Sequence, residues 1–205
     1  MNKLHYKINA PKNPLVEGFQ LPAPKIGYYI LGPEVVSTEL KDYFKDTLGL
    51  TVTLAVVFPR PHQQPWPGRE NQGVIHSDVT WENDQWTPIH YAVNYELTPT
   101  TSTLSWWSTT DEPVYLPSPN PVTHDDLLRG IHYGQRNNFK PLHSGYKRLD
   151  SVVIGTDPVL VNTSLPHSVD YAGQQENRYG VSIRFDRPVD NWAQAVELFK
   201  DVIVE

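Results

Sequence analysis

The sequence predicts a mainly β fold, and a double-stranded β-helix (jelly roll) with flanking N- and C-terminal helices accommodates its element order. Three observations predict it. The chain carries 19 Pro and many Thr, Tyr and Trp, a composition of short strands joined by rigid loops. Several short runs alternate apolar with polar or β-branched residues, the period of a strand. Strong helical periodicity appears before these runs and after them, at residues 33–48 and 191–202. A sandwich of another topology fits the same pattern.

The 205 residues fit a single domain, 1–205, with 39% hydrophobic and 20% charged residues, both globular values. The formal charge is −6 and no Lys/Arg run is present, which disfavours nucleic acid as a partner because counterion release needs clustered cations. The longest apolar runs, such as 54–58, are too short to span a bilayer. The N-terminus lacks the apolar middle of a secretion signal, so the expected location is cytoplasmic, with no membrane partner. No Cys is present, and any metal must therefore be held by His, Asp, Glu and water.

Taken in order, residues 1–24 are polar and Pro-punctuated and read as an arm over the surface. Residues 27–31 form a short β-like run. Pro33 to Leu48 reads as a helix, with Val36, Leu40, Tyr43, Phe44 and Leu48 on one side, Pro33 at its start and Gly49 as its stop. Leu50 to Phe58 is a β-branched strand, residues 60–71 are loop, and Val74 to Thr80 resumes strand character. His90 to Leu97 alternates, with His90, Ala92, Asn94 and Glu96 on one face. Thr98-Pro99-Thr100 then suggests a hairpin to a strand at 101–108. From Thr109 to Asp150 the pattern dissolves, apart from a short helix predicted at Thr123–Gly130, and this long insertion reads as a lid or binding loop. Two short strands follow, at 151–155 and 158–162. Arg178 to Phe185 alternates again, and Asp190 caps a final helix carrying Trp192, Val196 and Phe199 on its buried stripe.

The chemistry centres on His76-Ser77-Asp78. On a strand, residues i and i+2 share a face, so an imidazole and a carboxylate can converge on one ion. A second such spacing, His124-Asp125-Asp126, lies at a predicted helix start, where acids answer to the helix dipole. His167, following Pro166, is a candidate third ligand. Two His and one carboxylate on a single face leave open positions on an octahedral iron. Arg178, Gly180, Ser182 and Arg184 share one face of the last strand, a polar pocket wall or a solvated face.

The His76/Asp78 pair, the distal His167 in PHSV and Arg178 in ENRYGVSIRF together resemble the Fe(II)/2-oxoglutarate-dependent oxygenase superfamily, over about residues 70 to 187. The resemblance implies Fe(II) held by His76, Asp78 and His167, and 2-oxoglutarate whose far carboxylate pairs with Arg178. It also implies molecular oxygen as a reactant and hydroxylation of a small-molecule or peptide substrate. Gly180 stands where members often carry Ser; Ser182 is the substitute hydroxyl, and Arg184 the alternative clamp if the register shifts. Asn94 is a candidate hydrogen-bonding partner for the co-substrate. Trp81, Trp86, Trp106 and Trp107 line either a substrate mouth or the core, His132 and His143 either touch substrate or are solvated, and His90 reads as structural. Two alternatives stay open: a cupin-like metalloenzyme working without 2-oxoglutarate, and a non-enzymatic jelly-roll binding module.

Overall fold

The computed structural model describes residues 3–24, 28–61, 75–82, 85–108, 115–117, 132–138, 147–170 and 176–204. The chain is mainly β. Its strands are β1 (His5–Lys7), β2 (Tyr29–Leu31), β3 (Val52–Arg60), β4 (Ile75–Glu82), β5 (Gln85–Pro88), β6 (Tyr91–Glu96) and β7 (Thr103–Ser108). They continue with β8 (Tyr115–Pro117), β9 (His132–Asn138), β10 (Lys147–Val153), β11 (Val159–Asn162), β12 (His167–Asp170) and β13 (Arg178–Phe185). Helices α1 (Thr38–Leu48) and α2 (Trp192–Phe199) flank most of them. Two antiparallel sheets result, ordered β1-β11-β6-β13-β3-β2 and β10-β7-β12-β4-β9-β8, with β5 added on β4.

Both helices cover the same face of the first sheet. Helix α1 starts where Ser37 Oγ accepts the Leu40 N–H at 3.3 Å, and stops at Gly49, whose φ of 64° needs a residue without Cβ. Its buried Phe44 meets Phe185 edge-on at 4.8 Å and Phe199 of α2 at 6.2 Å. The sheet offers them Tyr91, Val93, Tyr95, Val181 and Ile183, the alternate residues of β6 and β13, all buried. Burying such aromatic and branched side chains contributes about 1.5–3 kcal/mol each.

The opposite face turns toward the second sheet, and it is not uniformly apolar. Ala92, Val159 and Val161 pack there with Leu104 and Trp106 in one continuous core. At the other side Leu54 and Val56 form a smaller cluster with Tyr28. Between these apolar ends runs a polar strip from β6 and β13: Asn94, Glu96, Arg178, Ser182 and Arg184. Four of the five are buried residues, and Asn94 is half-buried.

Several expectations are corrected. The segments 90–97 and 101–108 are not a hairpin: β6 lies between β11 and β13, and β7 between β10 and β12 of the other sheet. Thr98-Pro99-Thr100 therefore carries the chain from sheet to sheet. The arm at 1–24 is partly sheet, since β1 pairs with β11, His5 opposite Val161. The helix expected from Pro33 breaks into a 3-10 turn at Pro33–Val35 and α1 from Thr38. The insertion at 109–150 contains β8, β9 and the start of β10, and β9 pairs along β4. The helix expected at 123–130, the second His-Asp spacing and His143 lie outside the described residues.

Candidate metal centre

Strand β4 presents His76 and Asp78 on one face toward the polar strip, as the i, i+2 spacing requires. The backbone of Asp78 is held on two sides: its N–H donates to Thr163 O at 2.8 Å, and its carbonyl accepts from Ile89 N at 3.0 Å. His167 opens β12, the neighbour of β4 in the same sheet, and the chain reaches it from β11 of the first sheet. The segment after β11 crosses between the sheets, stiffened by Asn162 Oδ1, which accepts from Ser164 N and Oγ at 3.1 and 2.9 Å. Trp107 N–H grips Pro166 O at 2.8 Å, and His167 then pairs directly opposite His76.

One ligating atom from each of His76, Asp78 and His167 lies within 4.8 Å of the other two. Asp78 Oδ1 is 3.6 Å from His76 Nε2 and 4.0 Å from His167 Nε2, and the two rings are 4.4 Å apart. Metal bonds of about 2.1 Å at right angles place neighbouring ligands about 3 Å apart, so a small contraction would close the set on an ion. His167 Nδ1 lies 2.8 Å from Leu165 O. A carbonyl only accepts, so Nδ1 carries the hydrogen and Nε2 keeps its lone pair toward Asp78.

The electrostatics suit a cation. Burial pushes the His167 imidazole down to about 4, with His76 acting in the same direction against Asp78, so His167 is neutral at pH 7. Burial opposes ionisation of Asp78, yet Arg184 and the two imidazoles outweigh it and hold the carboxyl below its ordinary value. Arg184 Nη2 donates to Asp78 Oδ2 at 2.5 Å, which leaves Oδ1 on the imidazole side.

Compared with known proteins, the chain matches no family model, no curated protein and no solved structure.

The structure brings together His76, Asp78 and His167, with Arg184 beside them. Arg178 is engaged elsewhere: its guanidinium donates to Glu96 Oε1 inside the protein. Gly180 makes room for that pair, because a Cβ there would meet Arg178 Nη2 and Glu96 Oε1, each at 3.3 Å. Asn94 sits on β6 opposite Ser182. Asn94 Oδ1, Ser182 Oγ, Glu96 Oε2, and Nε and Nη1 of Arg184 are buried without a hydrogen-bond partner among the described residues. Trp106 is core, its indole N–H given to Asn162 O at 2.7 Å, while Trp107 donates to Ser168 Oγ at 2.9 Å. The carbonyl of His90 accepts the Thr163 N–H at 3.4 Å, a structural part. Glu96 was missed as the partner of Arg178, although alternation already places it on the inner face with Asn94. The role of Leu165 O carries no sequence signal, since any residue supplies a carbonyl.

Proposed function

We propose that the chain is an Fe(II)- and 2-oxoglutarate-dependent oxygenase, a hydroxylase with His76, Asp78 and His167 as metal ligands. The observation that carries this reading is the convergence of those three side chains, two imidazole nitrogens and one carboxylate oxygen, on one point. Bound there, Fe(II) would supply the activation of molecular oxygen that is coupled to decarboxylation of 2-oxoglutarate. The protein's own contribution is positional. Leu165 O orients His167, Arg184 turns one oxygen of Asp78 away from the imidazoles, and the backbone contacts to Thr163 and Ile89 hold β4 in place. Asn94 and Arg178 are the proposed contacts for the co-substrate along the strip.

Strand order supports a jelly-roll reading of the two sheets. The orders β3-β13-β6-β11 and β4-β12-β7-β10 make the chain alternate between facing sheets, as two wound antiparallel ribbons would. No helix among the described residues is long and apolar enough to cross a membrane. A small-molecule or peptide substrate and a cytoplasmic location complete the proposal.

One observation favours a second reading. Arg178 already holds a carboxylate, that of Glu96, and a metalloenzyme that needs no 2-oxoglutarate would not require it free of Glu96. Thermal melting with Mn(II), with and without 2-oxoglutarate, separates the two. A rise that needs both supports the oxygenase; a rise with metal alone, unchanged by 2-oxoglutarate, supports the second reading.

A further inference from the structure

The first strand belongs to one sheet and is fastened to the other. Strand β1 pairs with β11, His5 opposite Val161, yet Leu4 N–H donates to Asp150 Oδ2 of β10 at 3.3 Å. His5 Nε2 lies 3.7 Å from the same carboxylate oxygen, and its ring stacks on Trp106 of β7 at 5.7 Å and 13°. Residues at the edge of one sheet thus bridge to two strands of the other.

Two routes lead from these contacts to His167. Trp106, fully buried with the His5 ring stacked on it, is the cross-strand neighbour of His167, which in turn pairs opposite His76. Directly opposed side chains on one sheet face stand about 4.5–5.5 Å apart, so the indole bounds the space in which the imidazole sits. The second route runs through the backbone. Asn162 is gripped on both sides: its N–H donates to Leu4 O at 3.0 Å, and its carbonyl accepts the Trp106 indole N–H at 2.7 Å. Its side chain then holds Ser164, and the next residue supplies the carbonyl that fixes His167 Nδ1.

Within this network β1 is the part that opens first. It is a three-residue strand near the chain end with β11 as its ladder partner, whereas β7 and β12 are interior strands, and terminal edges fray before interiors do. Helix α2 holds its other side, where Trp192 donates to Lys3 O at 2.9 Å.

We propose that the N-terminal strand is a strap that regulates the metal centre. Docked, it holds His167 in ligating position; released, it frees the crossover that carries His167. Leu4 and His5 are positioning residues, acting through Asn162 and Trp106. This rests on His76, Asp78 and His167 being metal ligands, as proposed above. Linkage makes the effect reciprocal: the docked strap tightens the ion, and the bound ion tightens the strap by the same factor.

The test uses the full chain and Mn(II). Free Mn(II) is followed by electron paramagnetic resonance, and backbone opening by hydrogen–deuterium exchange. In the wild type, Mn(II) slows exchange over residues 3–9 as well as over 162–168, and in His76→Ala it slows neither. His5→Ala removes the stack but keeps the backbone ladder, and weakens Mn(II) about 2–30-fold, the effect of a residue that touches neither ligand nor ion. Asp150→Ala, which releases Leu4 N–H, weakens it likewise and carries the test if circular dichroism shows His5→Ala unfolded. Gly49→Ala controls for stability alone: it strains the end of α1, on the other face of the first sheet, and leaves Mn(II) affinity unchanged. Undiminished affinity in both strap variants, protection by Mn(II) that stops short of residues 3–9, or an equal loss in Gly49→Ala overturns the strap and leaves the metal centre standing. A wild-type chain that never depletes free Mn(II) overturns the metal centre itself and the strap's role with it.

Discussion

Replacing Glu96 by Gln decides whether burial or the neighbouring cation governs the polar strip. Glu96 is 3% exposed, and only its Oε1 meets Arg178; Oε2 has no partner among the described residues. Burial raises the carboxyl from 4.5 to about 6, against the opposing pull of Arg178. A folded value above the unfolded one means that the native state binds more protons between the two. The stability contribution is then complete below pH 4.5 and is lost as pH rises through 6. At 1.36 kcal/mol per unit, the loss is about 2 kcal/mol. For a chain of this length, that corresponds to roughly 4–8 °C in Tm. Gln keeps the shape of the protonated acid and does not titrate. Urea denaturation of wild type and Glu96→Gln between pH 4 and pH 8 should therefore show the wild type losing about 2 kcal/mol relative to the variant, mostly between pH 4.5 and 6. If the wild type gains on the variant as pH rises, Arg178 dominates and the burial reasoning is refuted. A flat difference refutes it as well.

Other consequences are checked by simpler means. Phe44→Ala removes a fully buried ring that touches Phe185 and Phe199, and should cost about 3–5 kcal/mol, read as a Tm fall of roughly 6–20 °C. Gly49→Ala forces a Cβ onto a left-handed residue at φ 64° and should cost about 1 kcal/mol, with a normal circular dichroism spectrum. Trp106→Phe leaves Asn162 O without its indole donor and should lower stability by about 1–3 kcal/mol in urea titration. His76→Ala should abolish tight Mn(II) binding and, if the oxygenase reading holds, 2-oxoglutarate turnover, while the far-ultraviolet spectrum is retained.

Much of the site was legible because strand alternation is local. His76 and Asp78 share a face for the same reason that Asn94 and Glu96 do, and a spacing of two residues states it without any tertiary information. His167 was reachable only by residue type and resemblance, since nothing in the sequence says that it pairs opposite His76. Partner choice was the blind spot. Arg178 and Arg184 look alike on β13, and which of them meets Asp78 depends on how the two sheets face each other. The false hairpin has a similar cause: Thr98-Pro99-Thr100 has turn chemistry, but sheet membership is set by long-range pairing of β6 with β11 and β13. Strand β9, HYGQRNN, escaped because its polar sequence lacks the alternation that marks a half-buried strand. The helices were legible in place, since an apolar stripe and the Gly49 stop are written locally, but their starts were misread: Ser37 and Asn191 cap them, not Pro33 and Asp190.

The central claim is that His76, Asp78 and His167 close on one divalent ion, and anomalous diffraction from crystals grown with Mn(II) tests it most directly. The expected result is a single strong peak about 2.1 Å from Nε2 of both imidazoles and from Asp78 Oδ1. A map with no density at that point, or with the ion held by other side chains, would contradict it.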